Sequence, residues 1–243
     1  MAQREEAGDG EELLMNWNAR IDGYCERMSD AFWAEPINAI TNAAFIIAAI
    51  LALGYARRQG RLDTATWFLL ATLTAIGIGS FLFHTYATRW AALADVAPIA
   101  VFILGYFAIA MHRFVGLTLR GSAIATGILI FALPAVSTVL QPILRPIIGG
   151  SVSYIPALLM LICVGAWLMR AGHAAGINLI AAAGIFTASL TFRTLDIPVC
   201  NGFPLGTHFA WHILNGTLLG FLIVTLTRHG FGPGALALRR ASA

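Results

Sequence analysis

Apolar residues run along this chain in seven stretches, at about 37–56, 64–86, 90–112, 123–140, 152–170, 174–192 and 207–227. Each is close to the ~20 residues that a helix rising ~1.5 Å per residue needs to cross a bilayer. The connections between them are short. The fourth is the least regular, because Pro134 interrupts it and Pro142 ends it; proline is tolerated in a membrane helix where neighbours satisfy the freed backbone groups. The pattern predicts an all-α fold, a single integral-membrane bundle of seven transmembrane helices. It divides the chain into a polar N-terminal segment (1–36), a transmembrane domain (37–228) and a C-terminal tail (229–243). No internal repeat or low-complexity tract interrupts it.

Composition agrees with this reading. Of the 243 residues, 58% are hydrophobic and 11% are charged, whereas a soluble domain carries about 25% charged residues. Ordinary soluble and disordered classes are therefore excluded. Nine of the twelve acidic residues lie in the first 35 positions, and all fifteen basic residues are Arg. Residues 1–12 are polar and acidic, so no secretory signal peptide is expected there. Nine Arg fall on one side of the seven runs: Arg57, Arg58, Arg61, Arg113, Arg120, Arg170, Arg228, Arg239 and Arg240. By the positive-inside rule that side is cytoplasmic, which puts the C-terminus inside and the N-terminus outside. The use of Arg without Lys and the small size point to a bacterial inner membrane. A formal charge of +3 gives no reason to expect nucleic acid.

An ionisable residue within a spanning run is costly, and so it is a functional candidate by default. Four stand out: His84, Asp95, His208 and His212. The crossing directions bring them to one depth near the outer face, at the outward end of the second run and the starts of the third and seventh. His208 and His212 are spaced i, i+4, so both imidazoles share a helix face and can chelate one ion. With His84 they form three nitrogen ligands, the open arrangement of a catalytic zinc site. The competing reading is three separate imidazoles, each hydrogen-bonded within the bundle.

Ser80 lies one turn before His84 on the same face. It can donate to an oxyanion, or simply pack beside Gly77 and Gly79. Asp95 can accept a proton from water or orient a ligand His, or pair with Arg89 or Arg193. In the N-terminal segment, Asp22, Glu26 and Glu35 are spaced oxygen donors of the kind calcium takes, although their spacing is not that of an EF-hand. Cys25 and Cys200 both fall on the outer side, where an oxidising exterior permits a disulfide. Cys163 sits mid-membrane and reads as a small packing residue.

Taken together, six pieces of the chain resemble the alkaline ceramidase family, within the seven-helix membrane hydrolases that include the adiponectin receptors. They are Asp-Gly-Tyr-Cys-Glu (22–26), Ala-Glu-Pro-Ile-Asn (34–38) with Asn42, Gly-Ser-Phe-Leu-Phe-His (79–84), Asp95, Leu-Asp-Ile-Pro-Val-Cys (195–200) and Gly-Thr-His-Phe-Ala-Trp-His (206–212). The resemblance implies zinc held by His84, His208 and His212, with Ser80 and Asp95 as catalytic partners. It implies calcium held by Asp22, Glu26, Glu35 and a carbonyl near Tyr24, and a Cys25–Cys200 disulfide. Two departures fall on the calcium set. The family's tryptophan is replaced by Gly23 and Tyr24, with one extra residue before Cys25, and Met28 stands where relatives place an asparagine ligand. The activity implied is zinc-dependent hydrolysis of ceramide or a related N-acyl lipid to a sphingoid base and a fatty acid. The partners expected are the lipid substrate and the membrane, with no obligate protein partner. The readings that compete are a proton- or ion-coupled transporter, which would need polar stepping stones across the apolar mid-bundle, and a receptor-like protein with a structural metal.

Overall fold

The structure, a computed structural model, describes residues 16–231, so the acidic stretch 1–12 and most of the C-terminal tail lie outside the described residues. Helices follow in the order α1 (Pro36–Thr41), α2 (Ala43–Arg58), α3 (Thr64–Tyr86), α4 (Arg89–Arg113), α5 (Leu119–Ile148), α6 (Ile155–Arg170), α7 (Ala175–Val199) and α8 (His208–His229), with a 3₁₀ turn at Gly149–Tyr154 between α5 and α6. No strand occurs among the described residues; the one β-bridge joins Arg20 and Thr88.

Among the described residues, six stretches are long and apolar enough to cross a membrane. Five match expected runs. The fourth and fifth runs form one stretch, Leu119–Arg170, of 52 residues. α5 continues through Pro134, Pro142 and Pro146 to Ile148, so Pro142 does not end it as expected. Each proline removes one backbone donor, and the helix tolerates the loss. Of the residues of α5 only Ser122 is buried, so this helix lies at the periphery with its apolar side chains outward. Cys163 on α6 is likewise exposed and not packed inside as expected.

The other helices build the core. α3 and α8 are the most deeply buried, and their Leu69, Leu73, Ile76, Leu222, Ile223 and Leu226 pack with Phe102 and Tyr106 of α4. Small residues allow close approach. A Cβ on Gly79 would run into the Ala94 carbonyl of α4, and one on Gly216 would lie 2.9 Å from the backbone of Ala44. In a membrane such small-residue contacts carry helix association.

The helix ends are fixed at both faces of the bundle. Asp63 caps α3 by accepting from Thr66 N at 2.9 Å and Thr66 Oγ1 at 2.8 Å, and it pairs with Arg113 at the end of α4. Arg61 donates to the Thr227 and Arg228 carbonyls at 3.0 and 2.8 Å, closing the end of α8. At the opposite face, α3 stops at Ala87, whose φ of 47° is left-handed and whose N–H returns to Phe83 O at 2.8 Å. The N-terminal segment is ordered against this turn. Ile21 N donates to Ala87 O, Arg89 N to Ala19 O and Trp90 N to Trp17 O, at 2.8, 3.1 and 3.1 Å.

Two outcomes are expected. Gly79→Ala overpacks the α3–α4 contact and lowers stability by about 1–3 kcal/mol, whereas Gly184→Ala, with open space around it, does not; thermal unfolding of both in detergent checks this. Burial pushes the Asp63 carboxyl up, but Thr66 and Arg113 hold it below its ordinary value. Its contribution to stability is therefore complete above about pH 4 and is lost as pH falls through the lower folded value. Asp63→Asn is expected to flatten that acid limb in a pH series of melting curves.

Candidate metal centre

Three imidazoles meet at the face covered by the N-terminal segment. His84 comes from the last turn of α3, and His208 and His212 from the first turns of α8. All three are buried, at 1–2% exposure, and their ligand nitrogens lie within 4.8 Å of one another. No other group of three or more His, Cys, Asp or Glu among the described residues could share an ion.

The hydrogen bonds around the rings fix which nitrogens are free. His84 Nδ1 lies 2.6 Å from Glu35 Oε2. Burial alone would raise the Glu35 carboxyl, but bonds from His84, Asn38 and Arg27 hold it below the usual carboxylate range. An ionised Glu35 only accepts, so Nδ1 donates and Nε2 keeps its lone pair. His212 Nδ1 lies 3.0 Å from Thr41 Oγ1, whose own proton goes to the Ile37 or Asn38 carbonyl at 2.8 or 3.0 Å. Thr41 therefore accepts, and His212 Nε2 is free as well.

Correspondingly, His84 Nε2, His212 Nε2 and His208 Nδ1 are buried with no hydrogen-bond partner. A buried polar atom without a partner costs about 1–3 kcal/mol, and three together make a donor set that lacks its acceptor. The reading of three separately satisfied histidines does not describe this arrangement. A neutral three-nitrogen set with a carboxylate behind one ring fits a transition metal such as zinc.

Ser80 and Asp95 are also brought together. The Ser80 hydroxyl and the Asp95 carboxylate lie near each other, with His84 nearby. Both side chains line a cavity of about 60 Å³ that continues between Ile99, Phe102, Phe186 and Trp211. A wider cleft of about 410 Å³, lined by Tyr24, Arg145, Ser151, Arg193 and Thr194, opens beside it. Arg193 does not pair with Asp95 directly; it donates to Ser151 Oγ at 3.2 Å and lies over the rings of Tyr154 and Trp211, 5.4 and 5.6 Å from their centres.

The segment over the site is fastened in two places. Cys25 and Cys200 form a disulfide with Cα atoms 5.5 Å apart. Asp196, on α7, accepts from Cys25 N at 2.9 Å through one oxygen and from Thr207 N and His208 N at 2.7 and 2.9 Å through the other. Gly206, at φ +63°, leaves room for this carboxylate. The Tyr24 ring then stacks on His208, with centroids 3.7 Å apart.

The carboxylates expected to hold calcium do not form a group whose oxygens could share one ion, although Glu26 and Glu35 both meet Asn38. Asp22 is exposed. Glu26 accepts from Ile37 N and Asn38 N at 2.7 and 2.8 Å, so it caps α1. Glu35 is engaged by Arg27, Asn38 and His84. The Tyr24 carbonyl accepts from Arg27 N at 3.3 Å, and its ring, not its carbonyl, faces the histidines. Sequence reasoning missed Arg27, Thr41 and Asp196 as supporting residues. For Asp196 a signal existed, because it is one of only three acids beyond residue 35 and lies close to an apolar run. For Arg27 and Thr41 there was none.

Fold and site together define an integral-membrane helical protein with a buried three-histidine centre and a small, mostly apolar cavity beside it. The family model described as Ceramidase matches residues 18–230, and the chain belongs to that family. No curated protein matches the sequence.

Metal analysis of the purified full chain is expected to give about one transition-metal ion per protein. His212→Ala is expected to lose it, while Asp22→Ala keeps it.

Proposed function

We propose that this protein is a zinc-dependent amide hydrolase that cleaves ceramide or a closely related N-acyl lipid to a sphingoid base and a fatty acid. The observation that carries the reading is the convergence of three unpartnered imidazole nitrogens beside the Ser80–Asp95 pair at the head of an apolar cavity. Membership of the ceramidase family supports the substrate class.

The topology that goes with it has seven crossings. Leu119–Arg170, 52 residues long, would extend ~78 Å as one helix at ~1.5 Å per residue. That is more than twice the ~30 Å of a hydrocarbon core. The turn at Gly149–Tyr154 divides it into two crossings, with the N-terminus outside and the arginine-rich loops inside. The site then lies near the outer face, with the lipid chains among the helices and the amide at the histidines.

His84 Nε2, His212 Nε2 and His208 would hold the zinc. Bound there, zinc supplies Lewis acidity and brings the pKa of water toward ~7. Asp95 takes a proton from the attacking water as its oxygen bonds to the amide carbon. Ser80 donates its hydroxyl to the developing oxyanion. Asp95 then returns the proton to the nitrogen as the C–N bond breaks, leaving a free amine and a carboxylic acid. Glu35 keeps His84 in the required tautomer throughout. The apolar cavity wall excludes water from the lipid chain.

With purified protein and a labelled ceramide, His84→Ala and Asp95→Asn are expected to lose hydrolysis. Ser80→Ala is expected to lose ~10²–10³ in turnover, the usual cost of one oxyanion donor. Full activity in His84→Ala would overturn the assignment, as would a preference for ester over amide lipids.

A further inference from the structure

The family resemblance assigns calcium to the N-terminal segment, and the residues present do not fit it. At the place where Glu35 needs a counter-charge, this chain supplies its own. The Arg27 Nε lies 2.5 Å from Glu35 Oε1. Its Nη2 donates to the His84 carbonyl at 3.0 Å and its Nη1 to the Ser29 carbonyl at 3.2 Å. Arg27 is 6% exposed and Glu35 3%. Each guanidinium nitrogen thus meets an oxygen, from three places in the chain: the Ser29 carbonyl, the residue before α1 and the end of α3. That is the cross-linking a divalent ion would perform with oxygen ligands, done by a permanently charged planar fork.

A calcium ion brought to the same carboxylate would face this buried positive charge at close range, where low dielectric makes repulsion strong. The other oxygens are also committed, with Glu26 on the two N–H groups of α1. Met28, where an oxygen ligand is expected, carries a thioether and is 84% exposed.

We propose that Arg27 stands in for calcium: it is a positioning residue that locks the N-terminal segment onto α3 and holds Glu35, and through it the His84 ring, so that the protein is stable without calcium and takes none up at this place. The calcium half of this inference is independent of the hydrolase reading; only the His84 half rests on it.

The test uses the full chain purified in calcium-free buffer at fixed free zinc. Melting curves are recorded with and without excess calcium, with magnesium as the ionic control, and calcium uptake is followed by equilibrium dialysis with radiolabelled calcium. Coincident curves and no uptake are expected. A rise in Tm specific to calcium, with stoichiometric uptake, would overturn the proposal whatever the substrate proves to be. In a second arm, Arg27→Gln is expected to melt earlier and to bind zinc ~10–100-fold more weakly in competition with a chromogenic chelator, as losses behind a ligand histidine commonly do. Unchanged zinc affinity in that variant would overturn the positioning role. Should Arg27→Gln fail to fold, the calcium measurements on the unaltered protein still decide.

Discussion

A carboxylate buried in low dielectric must be neutralised and fully hydrogen-bonded, and the way Glu35 meets that demand organises the end of the bundle that carries the histidines. Its two oxygens take up the Arg27 guanidinium, the Asn38 amide and the His84 ring. One side chain therefore joins the N-terminal segment, α1 and the last turn of α3. Because the carboxylate stays ionised, the proton on His84 is fixed at Nδ1, and the opposite nitrogen is left to bind. Stability and chemistry share the same contacts here: whatever loosens Glu35 also turns the imidazole.

A second carboxylate does similar work on the other side. Asp196 joins the Cys25 amide to the first N–H groups of α8, from which His208 and His212 project. The disulfide and the Tyr24–His208 stack reinforce the same connection. The N-terminal segment is thus part of the site's frame. Below it the cavity is lined mostly by apolar side chains, with Ser80, Asp95, Tyr106, Tyr154 and Asn215 bringing polar groups to it.

Much of the candidate site was legible because a membrane makes polar residues conspicuous. His84, Asp95, His208 and His212 interrupt long apolar runs, and the alternation of crossing directions brings them to one end. The two carboxylates of the frame were less legible. Glu35 lies among other acids before the first run, and its oxygens looked like those of a calcium site. Which cation they meet depends on the path of residues 24–35, and that path puts Arg27 inside. The spacing of oxygen donors along a chain does not record which neighbour reaches them first. The extent of the fourth run was misjudged for a related reason, since Pro134 and Pro142 mark lost backbone donors and not the end of a helix that lies at the bundle's edge.

By itself, the sequence determined that the chain is a membrane bundle, because spans of apolar residues near the length of a bilayer crossing leave no other stable fold. It determined the three-histidine set through the i, i+4 spacing on one helix and the cost of a lone imidazole in another. Tertiary structure alone decided the tautomers, the identity of the cation beside Glu35, the role of Glu26 as a helix cap and the use of the Tyr24 ring as a cover. These depend on contacts between separate segments of the chain, such as Glu35 to His84, Cys25 to Asp196 and the Tyr24 ring to His208. A donor's partner is set by where the backbone carries it, and local pattern does not encode that.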